Sequence, residues 1–295
     1  MTMRLCHAIV PVQDYDLDAT LDSGQVFGFR ATPSGWEGSV SSCWMRLCGR
    51  DQSIEIEWMG NSTGEAVPAE ILDFLGAGVS LGPILSSFPQ DAVMRRAVAA
   101  CRGLRLLKQD PWTCLASFIL SSTKQITQIK QIYAALCLRL GDRLRAPPDA
   151  EVRHAFPLPE AVVRAGEKVV RECKAGFRAA YLVEAARRVL TGEFRLGELA
   201  NLPIAEARAE LMNLPGVGPK VADCVLLFTG AHAEAFPVDV WIARALRELY
   251  FQGKLVSLDQ LREFAARHFG PHGGYAQQYL FHYARVHGMP WEAPA

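Results

Sequence analysis

The chain has 295 residues and no formal net charge; half of its residues are hydrophobic and 21% are charged. That length implies two or three packed subdomains with an ample core, and that balance excludes a disordered or fibrous chain. The neutral total hides a division: residues 1–90 hold 4 basic and 11 acidic side chains, and the remaining 205 carry a balance of +7, enough to steer a polyanion to one face.

Met1 to Val12 lacks the long apolar segment of a signal peptide, and the most apolar stretch, Ile71 to Phe88, is interrupted by Asp73, Gly82 and Pro83. A soluble, intracellular, monomeric protein without membrane association is therefore expected, in the cytoplasm or nucleoid of a bacterium or the nucleus of a eukaryote. The first ninety residues read as an antiparallel meander. Val26–Ala31, Gly35–Val40, Cys43–Cys48 and Ser53–Trp58 are short runs of β-branched and aromatic residues separated by turn formers such as Thr32-Pro33-Ser34-Gly35. From about Gln90 the apolar period becomes helical, with helices expected at 90–101, 125–140, 157–165, 177–191, 204–213, 219–229, 239–251, 258–269 and 275–287. Asp110-Pro111 opens another helix with an N-cap and a proline in its first turn. Arg145–Pro159, with four prolines, reads as a connector. The eight cysteines include no Cys-x-x-Cys pair and none lies beyond Cys224, which excludes the common zinc modules and a C-terminal iron–sulfur loop.

Between two of the helices lies Leu214-Pro215-Gly216-Val217-Gly218-Pro219-Lys220. Two glycines permit a tight turn, and Pro219 opens a helix whose free amides face back into it. The spacing fits a phosphate site as well as it fits an ordinary helix–helix turn. Lys220 falls at the positive helix end; it reads as an ordinary solvated lysine or, because a neutral amine is favoured there, as a nucleophile. Nineteen residues later, Asp239 in Phe236-Pro237-Val238-Asp239 can cap the next helix, or accept a proton or stabilise a cation near the amine.

Leu214 to Cys224 followed by Phe236 to Asp239 resembles the helix-hairpin-helix DNA glycosylases, specifically the 8-oxoguanine DNA glycosylase family. Ser23-Gly24-Gln25-Val26-Phe27, Gln109-Asp110-Pro111, Ser121-Ser122, Gly176-Phe177-Arg178 and Gln277 to Phe281 match that family in order, so the resemblance spans nearly the whole chain. It implies an α+β fold: an N-terminal antiparallel sheet subdomain over 1–90 and a mainly helical glycosylase body over 91–295, with the hairpin at about 204–229. It further implies a bifunctional N-glycosylase and abasic-site lyase acting on double-stranded DNA that contains 8-oxoguanine.

By that resemblance Lys220 attacks C1′, and Asp239 stabilises the developing cation and helps deprotonate the lysine. The flipped base lies between Phe281 and Cys224, with Gln277 on its Watson–Crick edge and the Gly24 carbonyl accepting the N7 hydrogen that guanine lacks. Phe177 wedges into the gap and Arg178 contacts the orphaned base. The amides of Gly216, Val217, Gly218 and their neighbours hold a phosphate, with a monovalent cation as the only accessory group; no metal site, redox cofactor or organic cofactor is implied. Three features depart from the family pattern: Trp241 stands where a histidine is common, Thr123-Lys124-Gln125 stands where the family has three asparagines, and Gln128 stands where an arginine often reads the opposite cytosine. Another lesion on the same fold and a non-catalytic hairpin DNA-binding module are the alternatives.

Overall fold

The computed structural model of the chain describes residues 4–60 and 66–288. The terminal residues of the two expected domains, 1–3 and 289–295, and residues 61–65 lie outside the described set. Five strands, β1 (Arg4–Pro11), β2 (Arg30–Thr32), β3 (Gly35–Val40), β4 (Cys43–Arg50) and β5 (Ser53–Gly60), form an antiparallel sheet in the order β1-β5-β4-β3-β2. The expected meander is β2 to β5. The strand β1, absent from the sequence-based expectation, adds to its far edge by pairing along its length with β5, Arg4 opposite Gly60 and Pro11 opposite Ser53.

The expected strand Val26–Ala31 is mostly not a strand; only Arg30 onward joins the ladder. Val26, Phe27 and Phe29 are buried, but Phe27 enters the core of the helical body whereas Val26 and Phe29 enter the core under the sheet. Gly28 lies so close to Tyr133 that a Cβ there would come within 2.7 Å of the phenol oxygen. The segment is thus a wedge between subdomains, and packing on both sides replaces strand pairing.

The helices are α1 (Leu17–Asp22), α2 (Ala69–Leu75), α3 (Leu81–Ser86), α4 (Ala92–Ala100), α5 (Pro111–Ser121), α6 (Ile126–Leu140), α7 (Pro159–Val170), α8 (Arg178–Leu190), α9 (Ile204–Met212), α10 (Pro219–Phe228), α11 (Val240–Tyr250), α12 (Leu258–His268) and α13 (Gly273–His287). Three cores organise them. Under the sheet, Leu21, Met45, Leu47, Ile56, Trp58 and Leu75 are fully buried. A second core is built around α5 and α10, and a third joins α3 and α4 to α11, α12 and α13. Helix α5 is buried from Cys114 to Ser121, which makes it the central rod of the body. Its start is fixed by Asp110, whose carboxylate accepts from the Thr113 amide at 2.8 Å.

The proline-rich connector lies across the sheet. Leu144, Ala150 and Ala155 cover the fully buried Trp44, and Arg46 links Glu37 (2.9 Å), Glu57 (2.9 Å) and Asp149 (2.7 Å). Helix α7 is broken at Gly166 (φ +73°, ψ 172°), next to the expected end at 165. Its second piece runs to Val170 and passes into a π-type turn, Arg171–Ala175, in which Cys173 and Lys174 (φ +67°) leave helical geometry and which the sequence pattern did not foretell. No helix among the described residues is long and apolar enough to cross a membrane.

Candidate active site

Six of the residues singled out in the sequence converge on one small pocket: Gly24, Lys220, Cys224, Asp239, Gln277 and Phe281, joined by Phe118, Phe228, Pro237 and Gln278. They arrive from separate elements. Gly24 follows α1, Lys220 and Cys224 share a face of α10 at helical spacing, Asp239 precedes α11, and Gln277 and Phe281 repeat that spacing on α13.

The hairpin places Lys220. Gly216 adopts φ +79°, and a Cβ there would lie 2.4 Å from Tyr181 Cδ2, so only glycine allows the turn to rest against α8. Val217 anchors the turn by burying its side chain. Gly218 caps α10 without any side-chain hydrogen bond, leaving the first amides of that helix open to an anion. Arg208 on α9 donates to the buried Asp223 on α10 at 2.7 Å and ties the two hairpin helices together. Lys220 Nζ donates to Ser121 Oγ at 3.2 Å and lies 5.0 Å from the centre of the Phe118 ring. Neither α5 residue was assigned a role from sequence; the only available signal was a Ser-Ser pair ending an apolar helix.

Asp239 caps α11, its Oδ1 accepting from the Ile242 amide at 2.8 Å. Burial pushes its pKa up, against the pull of the backbone donors and of Lys220. Burial likewise pushes the Cys224 thiol up to about 12, with Lys220 opposing, so this wall of the pocket is a neutral, polarisable thiol. The Gln277 side chain is 4% exposed, and its Oε1 has no hydrogen-bond partner. A buried amide oxygen without a donor costs stability, which marks it as a group kept for a ligand.

Gly24, at φ +80°, belongs to a closely tethered turn. A Cβ there would lie 2.8 Å from Ile126 Cδ1 and 3.4 Å from Phe281. The neighbouring Gln25 donates to the Thr20 carbonyl (3.0 Å), Ser23 Oγ (2.9 Å) and the Arg105 carbonyl (2.8 Å), and accepts from the Leu107 amide (2.8 Å). Gln278 donates to the Ser23 carbonyl at 3.0 Å.

The pocket opens into a groove of about 1090 Å³. Its charged lining comprises Lys124, Lys130, Lys220, Arg247, Arg262 and Arg285 against Asp22 and Asp239, which localises the basic excess read from sequence. Thr123 and Trp241 line this groove, and Trp241 and Val240 are exposed at the start of α11. Phe177 stands 55% exposed after the π-turn, whose exit at Gly176 has φ +61°. Arg178 is buried beneath it, its guanidinium 4.4 Å from the Phe177 ring and hydrogen-bonded to the Ser122 carbonyl and Thr123 Oγ1. Gln128 is exposed, and its Oε1 accepts from the Gln125 amide at 3.1 Å, closing the first turn of α6.

Two family matches cover Gly24, Lys220, Cys224 and Asp239, while Gln277 and Phe281 lie beyond them. Residues 8–115 match the N-terminal domain of 8-oxoguanine DNA glycosylase, and residues 116–269 match the helix-hairpin-helix superfamily of base excision DNA repair proteins. The chain belongs to the 8-oxoguanine DNA glycosylase family. The probable N-glycosylase/DNA lyase of Methanothermobacter thermautotrophicus is 33% identical over 230 residues, 69% of this chain and 70% of that protein. The 8-oxoguanine glycosylase/lyase of Clostridium acetobutylicum, solved with duplex DNA carrying cytosine opposite 8-oxoguanine, is 31% identical with a TM-score of 0.87 over 96% of this chain and 99% of that one. The MBOgg1 structure, in complex with a low-affinity DNA ligand, is 32% identical with a TM-score of 0.90 over 98% and 100% of the two chains. As a member of this family the chain is an enzyme of DNA repair, an N-glycosylase with lyase activity.

Proposed function

We propose that this N-glycosylase/DNA lyase excises 8-oxoguanine from duplex DNA with Lys220 as nucleophile and Asp239 as its carboxylate partner. The observation that carries the reading is the convergence of an amine, a carboxylate, a buried unpaired amide and an aromatic ring on one pocket beside a basic groove. Extruding the damaged nucleotide costs a few kcal/mol in lost stacking and pairing. The exposed Phe177 is placed to fill the vacated space, and Arg178 to reach the orphaned base once it releases Ser122 and Thr123. The flipped base stacks between Phe281 and Cys224, Gln277 Oε1 accepts from its Watson–Crick edge, and the Gly24 carbonyl accepts the N7 hydrogen. Unmodified guanine offers only an acceptor at N7, so that contact discriminates.

The neutral Lys220 amine adds to C1′ as the bond to the base breaks and the electron pair leaves with the base. Loss of a proton from nitrogen and opening of the sugar ring give the Schiff base, and removal of a C2′ proton then expels the 3′ phosphate. Asp239, with its pKa raised by burial, is a stronger base than an exposed aspartate toward the lysine proton. The amides of Gly216, Gly218 and the first turn of α10 receive a backbone phosphate, whereas the Val217 amide closes the turn on the Leu214 carbonyl at 3.1 Å, and Trp241 flanks the strand where a histidine would carry charge. The turn's carbonyl oxygens are hard donors of the kind an alkali cation prefers, and such an ion is the only accessory group this reading requires. We place the enzyme in the compartment that holds the genome and take it to act as a monomer.

Duplexes carrying one lesion each, scored for base release and for strand nicking, test the reading. Release and nicking at 8-oxoguanine, with a borohydride-trapped protein–DNA adduct that Lys220→Gln abolishes, are expected. Lys220→Gln should still bind the duplex. Nicking at the wild-type rate in that variant would overturn the assignment of the nucleophile, and absence of any adduct in the wild type would favour a non-catalytic hairpin protein.

A further inference from the structure

The turn that carries Gly24 has open space on two sides. One is the basic groove; the other is a second cleft of about 1100 Å³ between the sheet and the body, lined by Phe29, Trp36, Tyr133 and His282. On the ridge between them, Asp22, the last residue of α1, sits between two cations. Its Oδ1 accepts from Lys130 Nζ at 2.9 Å and its Oδ2 from the Arg285 guanidinium at 2.8 Å. The same guanidinium also donates to the Asp22 main-chain carbonyl. Lys130 belongs to α6 and Arg285 to the last turn of α13, so one carboxylate joins the N-terminal subdomain to two separate helices of the body.

We propose that Asp22, Lys130 and Arg285 form an ionic clamp that sets lesion specificity by fixing the Gly24 carbonyl relative to the ring of Phe281. The inference rests on the reading of Gly24 as the group that recognises N7–H. The clamp lies two residues from that carbonyl, and Arg285 lies one helical turn beyond Phe281 on α13, so carbonyl and ring are braced through a single guanidinium. Gln25, beyond Gly24, is held by buried hydrogen bonds to the Arg105 carbonyl and from the Leu107 amide. On the near side the Ser23 carbonyl accepts from Gln278 of α13, and the clamp adds the charged tie that joins this side of the turn to α6 as well as to α13. The three clamp residues do not line the base pocket; they are positioning residues. Single exposed ion pairs contribute little, whereas here two cations share one acceptor and the main chain itself is gripped. Misplacing a reacting contact by about 1 Å can cost on the order of a hundredfold in rate, so a shift of a few tenths of an ångström matters at this carbonyl.

A preformed abasic site separates recognition from chemistry, because the lyase step on it has no base to read. Asp22→Asn, which removes the shared charge and leaves both cations on the groove wall, is expected to slow 8-oxoguanine excision roughly tenfold while lyase cleavage of an abasic duplex stays within about twofold of wild type. Asp22→Glu should restore excision. On a Lys220→Gln background, Asp22→Asn should shrink the affinity ratio of 8-oxoguanine to guanine duplexes by a similar factor. Asp22→Ser, which likewise removes the shared charge and leaves both groove cations in place, is expected to behave in the same way and serves if Asp22→Asn fails to fold. Equal loss of excision and lyase rates would mean that the cations hold DNA, and an unchanged excision-to-lyase ratio would mean that the clamp does nothing for recognition; either overturns the proposal. A wild-type enzyme that nicks abasic DNA but never releases 8-oxoguanine would instead overturn the reading of the base pocket.

Discussion

Ser121 and Lys220 are 99 residues apart in the chain and 3.2 Å apart in the fold, Oγ to Nζ. Ser121 ends the buried rod α5, and its Oγ also donates to the Phe118 carbonyl at 2.8 Å, which orients the hydroxyl lone pairs toward the lysine. A fixed hydroxyl and an aromatic face thus aim the amine into the pocket. A neutral side-chain hydrogen bond contributes about 0.5 to 1.5 kcal/mol. Ser121→Ala should therefore slow formation of the borohydride-trappable adduct by roughly three- to tenfold, with duplex affinity unchanged. An adduct rate within twofold of wild type would reduce Ser121 to a helix-terminal residue.

Asp239 answers to pH in a direction set by its burial. Its folded pKa lies above that of an exposed aspartate, so the folded protein holds this proton more tightly than the unfolded chain does. The charge therefore destabilises the fold at neutral pH, and that penalty disappears as pH falls below the folded value. Asp239→Asn removes the charge and keeps an oxygen able to accept from the Ile242 amide. Its melting temperature at pH 7 should equal or exceed that of the wild type, while excision falls by two or more orders of magnitude. Wild-type excision should fade on the acid side at a pH above the usual aspartate range. Retained activity with a large drop in melting temperature would make Asp239 purely structural.

Gln277 offers a comparable separation of stability from function. Its Oε1 is buried without a partner, so Gln277→Met, similar in length and lacking the orphan, should leave the melting temperature unchanged or raise it. The same change should weaken 8-oxoguanine binding by about 1 to 3 kcal/mol, as the loss of a good base contact does. Phe281→Ala should lose a similar amount through stacking. Normal excision in both variants would place the base elsewhere.

What was legible in the chain follows from how local each signal is. The hairpin around Gly216 and Gly218, Lys220 at the start of α10 and the Asp239 cap are all encoded within a few neighbouring residues, and the structure places them as expected. Helical periods were likewise readable from Gln90 onward. Strand β1 was not, because its only partner is β5, some fifty residues away, and its outward Leu5 and Ile9 are exposed apolar residues that blur the alternation. The segment from Val26 to Phe29 misled through composition: its aromatic residues suit a strand, yet two separate cores claim them. Ser121 on Lys220, and Asp22 between Lys130 and Arg285, are meetings of distant helices that no local pattern announces.

The base opposite the lesion should be read loosely. The position where an arginine is expected holds Gln128, and the structure shows this side chain closing the first turn of α6 on the Gln125 amide rather than standing free. To reach a base, Gln128 must give up that bond, worth about 0.5 to 1.5 kcal/mol, which cancels part of what the new contact would return. Thr123 is engaged as well, accepting from Arg178, so Arg178 alone is left to recognise the partner base, and it must first leave Ser122 and Thr123. A good bidentate base contact supplies about 1 to 3 kcal/mol of discrimination. Without one, excision opposite cytosine should remain fastest, with lesions opposite the other bases processed within about a hundredfold. Gln128→Arg should sharpen the preference for cytosine by roughly tenfold or more, and it should slightly lower the melting temperature through loss of the α6 closure. Single-turnover rates with 8-oxoguanine opposite each of the four bases decide the matter: a wild-type preference for cytosine of several hundredfold, or a Gln128→Arg variant no more selective than its parent, would show that the partner base is read by other residues.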